Sequence, residues 1–126
     1  MIKKVLGVAS SAQWNAETRL RIRHLVLIDS LAETGNMRLT AAAMNLSQPA
    51  ISKLLQDAED ALGEKLFERS RRGVTATSAG DVMIFRARQM LGDLASARDD
   101  IRMVAQGRSG RLRVGSFLLR LMAMQA

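Results

Sequence analysis

Cysteine and tyrosine are absent from these 126 residues, and tryptophan, proline and histidine occur once each, as Trp14, Pro49 and His24. Without cysteine there is no disulfide framework, no thiolate metal site and no thiol nucleophile, and a reducing cytoplasm suits the chain. With one Trp and three Phe, an aromatic platform for stacking unpaired bases is not expected. His24 has no second His or Cys with which to hold a metal or relay a proton, so it is expected to be a surface or satisfied histidine, and neither a metal nor another cofactor is expected. No apolar run approaches the roughly 20 residues that cross a bilayer, and membrane insertion is not expected. The run Val5 to Ala9 behind Lys3 and Lys4 is also shorter than the core of an export signal, about 7 to 15 residues.

What the chain does have is positive charge. Nineteen Lys and Arg against 12 Asp and Glu give +7, in a composition that is 48% hydrophobic and long enough for one modest core. Nucleic acid or an anionic surface is the partner this balance predicts. An enzyme is not expected. There is no GxxxxGK[ST] phosphate loop and no HExxH, and the carboxylates from Asp57 to Glu64 and at Asp99 and Asp100 are expected on helix surfaces, away from any acid or base partner.

Three helical patterns follow the first 18 residues, which are read as a mobile or loosely packed arm. Arg19 to Thr34 places Ile22, Leu25, Ile28, Leu31 and Ala32 at spacings of three and four before Gly35 stops it. Arg19, Arg21 and Arg23 form a basic edge, open to phosphates or simply solvated. A short helix then runs from Asn36, a good cap, to Met44, with Met37, Thr40, Ala41 and Met44 on one side. Asn45 tolerates a left-handed conformation, so the interruption before the next helix is a turn of about three residues. Ser47 caps that next helix, and Pro49 is tolerated in its first turn because the missing donor would be unpaired there anyway. Ile51, Leu54, Leu55, Ala58 and Leu62 make its buried stripe, and Gly63 ends it.

The other face of that helix is split by sign. Gln48, Pro49, Ser52, Lys53 and Gln56 point outward from the N-terminal part, while Asp57, Glu59 and Asp60 crowd the C-terminal part. Phosphates are repelled by the second half and attracted by the first, where the helix dipole is of the right sign and Gln, Ser and Lys can contact bases or backbone. Behind Gly63, the residues Lys65 to Arg69 and Val74 to Thr75 flank the turn Ser70-Arg71-Arg72-Gly73, a hairpin with a cationic tip. A helix, a short turn, a second helix for the major groove and a basic hairpin together spell a winged helix-turn-helix, a mainly α fold.

The segments AETGNM (Ala32 to Met37), SQPAISK (Ser47 to Lys53), DALGEKLFERSRRGV (Asp60 to Val74) and TSAG (Thr77 to Gly80) occur in that order. In this combination, from Arg19 to Gln106 and over roughly two thirds of the chain, the sequence resembles the N-terminal domain and linker helix of LysR-type transcriptional regulators. The resemblance implies sequence-specific binding of double-stranded DNA by dimers or tetramers, with Ser47, Gln48, Pro49, Ser52, Lys53 and Gln56 toward the major groove and Arg69, Arg71 and Arg72 on the wing. Arg38 joins them as an expected DNA contact. Lys53 stands where the family often has Arg, and Lys forks across guanine less well, so a phosphate contact is the alternative there.

From Ser78 to Gln106 there is no Pro, and Met83, Ala87, Met90, Leu94, Ala97, Ile101 and Val104 repeat at spacings of 4, 3, 4, 3, 4 and 3. A helix of this length spans about 43 Å, and a sustained 3.5-residue repeat calls for a second helix as long, which only another copy of the chain supplies. The domain boundaries read from the sequence are therefore an arm at 1–18, a winged helix-turn-helix at 19–77, a dimerisation helix at 78–106 and, at 107–126, a polar hinge with the start of what in LysR-type regulators is an effector-binding domain. The remainder of that domain is absent from the sequence, so no inducer site is expected. A shortened regulator that pairs with a full-length relative and blocks it is the alternative reading.

Overall fold

The computed structural model of the chain describes residues 19–107 and 119–123, so the arm at 1–18 and the hinge beyond Gly107 lie outside the described residues. Two units divide the chain, one up to Gln89 and one from Met90. The first unit holds helices α1 (Ile22–Thr34), α2 (Met37–Met44) and α3 (Gln48–Leu62), strands β1 (Phe67–Ser70) and β2 (Gly73–Ala76), and the first turns of α4 (Ser78–Ala105).

Helix α1 starts at Ile22 instead of Arg19. No Ser, Thr, Asp or Asn stands at its entrance, and the start falls where the ring of His24 reaches back: Nδ1 of His24 accepts the Arg21 N–H at 2.9 Å, and Arg21 itself is extended with φ −124° and ψ 166°. The other boundaries follow the expected caps. Asn36 accepts the Leu39 N–H at 2.9 Å through its side chain, Ser47 accepts that of Ala50 at 3.2 Å, and the left-handed residues Gly35, Asn45 and Gly63 (φ 61°, 56° and 72°) close α1, α2 and α3.

The three helices pack against one another. Leu25, Leu27, Ile28 and Leu31 of α1, Thr40 and Ala41 of α2, and Ile51, Leu55 and Ala58 of α3 are buried, with Leu66 and Phe67 closing the core from the wing side. Two positions of the expected stripes lie elsewhere. Ile22 is half exposed while Leu27, outside the stripe, is fully buried, because α1 is covered over a wider arc than one stripe. Leu62 is 38% exposed, at the last position before the Gly63 cap. Thr40 is a buried polar residue satisfied by Thr34, the two hydroxyls lying 2.7 Å apart.

Strands β1 and β2 pair antiparallel with Phe67 opposite Ala76 and Ser70 opposite Gly73, leaving Arg71 and Arg72 as the two-residue turn. The hairpin is pinned to the end of α1, since the Gly35 carbonyl accepts the Val74 N–H at 2.9 Å. Gly73 (φ 124°) is needed there, because a Cβ would come within 2.6 Å of the same carbonyl oxygen.

Glu59 departs from the sequence reading in a way that matters. Expected on the solvated acidic face, it is 9% exposed, and its Oε2 accepts the N–H groups of Leu66 at 2.7 Å and Phe67 at 3.4 Å. Thr77 takes the other side of the same segment, donating its hydroxyl to the Lys65 carbonyl at 2.6 Å and its N–H to that of Leu66 at 3.0 Å. The Thr77 hydroxyl oxygen also accepts the Gly80 N–H at 3.0 Å and so caps α4. Gly80 must be glycine, for a Cβ would overlap the Leu66 carbonyl oxygen.

Helix α4 ends at Ala105, one residue short of expectation. In the first unit Gly80 and Ala87 are buried, and Arg88 joins Asp29 (Nε to Oδ1, 2.8 Å) and Glu33 (Nη2 to Oε1, 3.1 Å) of α1. Ala87 was expected in the intermolecular seam, but it is 0% exposed and has no surface left for a second copy. In the second unit Met90, Leu94, Ala97, Ile101 and Val104 are exposed, and Arg120 meets Asp100 at 2.7 Å. No helix among the described residues is long and apolar enough to cross a membrane.

Replacing Glu59 by Ala leaves two buried N–H groups unpaired and is expected to lower stability by about 1 to 3 kcal/mol in urea denaturation. An unchanged midpoint would remove the structural role given to this carboxylate.

Candidate nucleic-acid interface

The exposed N-terminal end of α3 carries Ser47, Gln48 and Pro49. The Ser47 oxygen is engaged with the helix, accepting from Ala50, which leaves the hydroxyl hydrogen free to donate outward. Pro49 has no N–H and that of Ala50 is taken by Ser47, so the first turn offers the N–H groups of Ser47 and Gln48 together with the positive end of the helix dipole, a setting suited to a phosphate.

One turn further, Ser52 is half buried and meets the wing: Nη2 of Arg69 donates to its Oγ at 3.3 Å. Two residues expected on separate parts of the interface are thereby brought together, and Arg69 belongs to the junction between α3 and β1 instead of the wing tip. Arg71 and Arg72 are the exposed tip. The backbone there is shaped by Ser70, whose Oγ accepts the Arg72 N–H at 3.2 Å. Arg38 is exposed on α2 and is not drawn into contact with the others by any of these bonds.

The acidic half of α3 reaches back toward the cationic half. Lys53 Nζ lies 3.5 Å from Asp57 Oδ1, with the two side chains 80% and 46% exposed, and Gln56 Nε2 donates to Asp60 Oδ1 at 2.8 Å. An exposed pair of this kind at i, i+4 contributes about 0.3 to 0.5 kcal/mol, so Lys53 can exchange its partner for a phosphate at little cost.

Sequence reasoning did not isolate the hollow of about 610 Å³ lined by Arg19, Arg21, His24, Asp57 and Asp60. Cations and carboxylates oppose each other there, and the local charge is mixed. His24 is buried beside it. With Nδ1 accepting from Arg21, the neutral ring carries its proton on Nε2, which has no protein partner. Burial pushes the imidazole below its ordinary value, against the pull of the Asp57 charge. The signal in the sequence is the place of His24 four residues before Ile28 and seven before Leu31, on the side of α1 that is buried.

Comparison with known proteins gives this geometry a context. The profile of bacterial regulatory helix-turn-helix proteins of the lysR family matches residues 22–81. The transcriptional regulator GbpR of Azospirillum brasilense is 41% identical over 107 residues, covering 85% of this chain and 31% of that protein. A small neutral protease regulatory protein of Streptomyces coelicolor is 36% identical over 104 residues, covering 82% and 32%. The chain thus spans about a third of the length of the curated relatives it matches. Among solved structures, the complex of the CbnR DNA-binding domain with DNA is 36% identical with a TM-score of 0.65, over 68% of this chain and 99% of that one. CbnR itself, described as a LysR family transcriptional regulator, gives 36% identity and a TM-score of 0.67 over 70% of this chain and 30% of that one.

The lowered pKa of His24 carries a sign for stability. Below the ordinary value of 6.5 the unfolded chain takes up a proton that the folded chain resists, so the full contribution is present above pH 6.5 and is lost as pH falls below it. Protonation would also set an Nδ1–H against the Arg21 N–H. Urea midpoints measured between pH 7.5 and 5.5 should therefore fall more steeply for the parent chain than for His24→Gln; equal slopes would contradict it.

Proposed function

This chain belongs to the lysR family of bacterial regulatory helix-turn-helix proteins, and from that premise we propose that it is a sequence-specific regulator which binds a near-palindromic operator in double-stranded DNA as a dimer. The observation that carries this reading is the contact between Arg69 of the wing and Ser52 of α3. It makes one continuous surface of the helix N-terminus and the basic hairpin, with their polar side chains outward and the apolar stripe of α3 inward. The N-terminal half of α3 enters the major groove, where Gln48 and Ser52 read base edges and Lys53 holds a phosphate or a guanine. Arg69, Arg71, Arg72 and Arg38 contact the backbone, and so supply affinity more than discrimination. Such a regulator works in the bacterial cytoplasm, where the chromosome is.

Dimerisation is assigned to the exposed part of the heptad, Met90, Leu94, Ala97, Ile101 and Val104. Four large apolar residues, Met90, Leu94, Ile101 and Val104, exposed at positions of one heptad register support it. A two-fold protein then asks for two half-sites in successive major grooves. The same exposed residues favour a second reading, in which the chain pairs with the equivalent helix of a longer relative and blocks it.

The deciding experiment selects bound fragments from sheared genomic DNA at about 0.15 M salt against excess random competitor, where nonspecific contacts are weakened. A few fragments sharing a dyad are expected, whereas indiscriminate or absent binding by the chain alone would favour the second reading. On the selected site, Gln48→Ala or Ser52→Ala should reduce discrimination against random DNA by roughly 1 to 3 kcal/mol. Arg71→Ala or Arg72→Ala should weaken all sequences alike and reduce the salt slope by about one. Equal loss of specific and random binding in the Gln48 variant would overturn its assignment as a base reader.

A further inference from the structure

Arg69 reaches α3 because of its place in the hairpin. Phe67 is buried at the start of β1, and Arg69, two residues on, leaves the strand on the same face, toward α3. There its Nη2 donates to Ser52 Oγ at 3.3 Å. Ser52 follows Gln48 by one turn of α3, on one face with it. A guanidinium carries only donors and keeps its charge, so the sense of this bond cannot be reversed. Ser52 must accept.

A serine hydroxyl has one hydrogen and two lone pairs, and an unengaged one serves base donors and base acceptors alike. Arg69 removes that freedom. One lone pair is taken, the hydroxyl hydrogen turns away from the cation, and the guanidinium charge opposes a second donor approaching the same oxygen. Accepting from a cation also strengthens the bond that a hydroxyl donates onward, the more so where water is excluded, as it is between a helix and the floor of a groove. Among the described residues no acceptor receives the Ser52 hydrogen. The remaining donors of Arg69 are left for a phosphate.

Major-groove edges differ in what they offer such a hydrogen. Guanine presents N7 and O6, adenine N7 and thymine O4, whereas cytosine presents only its N4 amino group, a donor. We propose that Arg69 is a positioning residue that holds Ser52 as a donor, so that guanine is accepted and cytosine refused on the strand Ser52 contacts, while both orientations of an A·T pair are tolerated. The inference rests on the groove reading given above and names what Ser52 reads there.

The test uses the full chain and its selected operator. The pair facing Ser52 is located as the one at which Ser52→Ala loses discrimination, and it is then replaced by each of the four pairs. For the parent chain the two orientations of G·C are expected to differ by about tenfold in affinity. In Arg69→Leu they should converge to within about threefold, while discrimination at the pair facing Gln48 stays as in the parent. Adding Arg69→Leu to Ser52→Ala should move the ratio no further, because the effect of Arg69 passes through the hydroxyl. A parent that binds both orientations of G·C alike overturns the proposal, and so does an Arg69→Leu variant that keeps the difference or loses discrimination at the Gln48 pair as well. If Ser52→Ala discriminates at every pair as the parent does, or if no operator is selected at all, the groove reading of Ser52 fails first and this inference with it. The two failures are thereby told apart.

Discussion

Three residues of backbone, Lys65 to Phe67, hold the DNA-binding unit together. Their polar groups are answered from two directions, by the buried carboxylate of Glu59 on α3 and by Thr77 at the head of α4. A buried, charge-assisted acceptor with two N–H partners is worth more than a neutral hydrogen bond, and it cannot move without leaving both donors unpaired. Helix α3, the hairpin and the head of α4 all meet at this segment.

The exposed face of α3 and the hairpin is built on the opposite principle. Its polar contacts are exposed and weak: Lys53 with Asp57, Gln56 with Asp60, and Arg69 with Ser52. Each amounts to tenths of a kcal/mol, far below the cost of disturbing the core, so the side chains can be redirected onto phosphates and bases while the scaffold stays as it is. Rigid support with exchangeable surface contacts is what a helix presented to a groove requires.

Much of this was legible in the sequence because its determinants are local. Asn36, Ser47, Asn45, Gly35 and Gly63 act on neighbours within four residues, so the positions of α2, the turn and α3 follow from them directly. The hairpin follows equally from Arg71, Arg72 and Gly73 between two short apolar segments. Glu59 was misplaced because its partners are backbone amides seven and eight residues on, invisible to a pattern that sorts side chains by polarity. The start of α1 depended on a histidine three residues into the helix accepting from the Arg21 N–H, a role that the capping-box pattern assigns to Glu or Gln. Arg88 lies 59 and 55 residues from its partners, and no periodicity announces such a pair. Ala87 fits the heptad by spacing, yet burial within the chain decides its role. Gln48, Ser52 and Lys53 were placed on the outward face by period alone, but the link from Ser52 to Arg69 needed the fold.

Gly35 closes α1 by donating its N–H to the Leu31 carbonyl and receives the wing's Val74 through its own carbonyl, and the absent Cβ of Gly73 leaves room for that second contact. Neither glycine offers a side chain to DNA. Such positions behave as fixed hardware, while an exposed side chain such as Gln48 at the head of α3 can be exchanged without touching them. Surface chemistry and architecture are thus encoded at different residues, and the first can change without reopening the question of whether the domain folds.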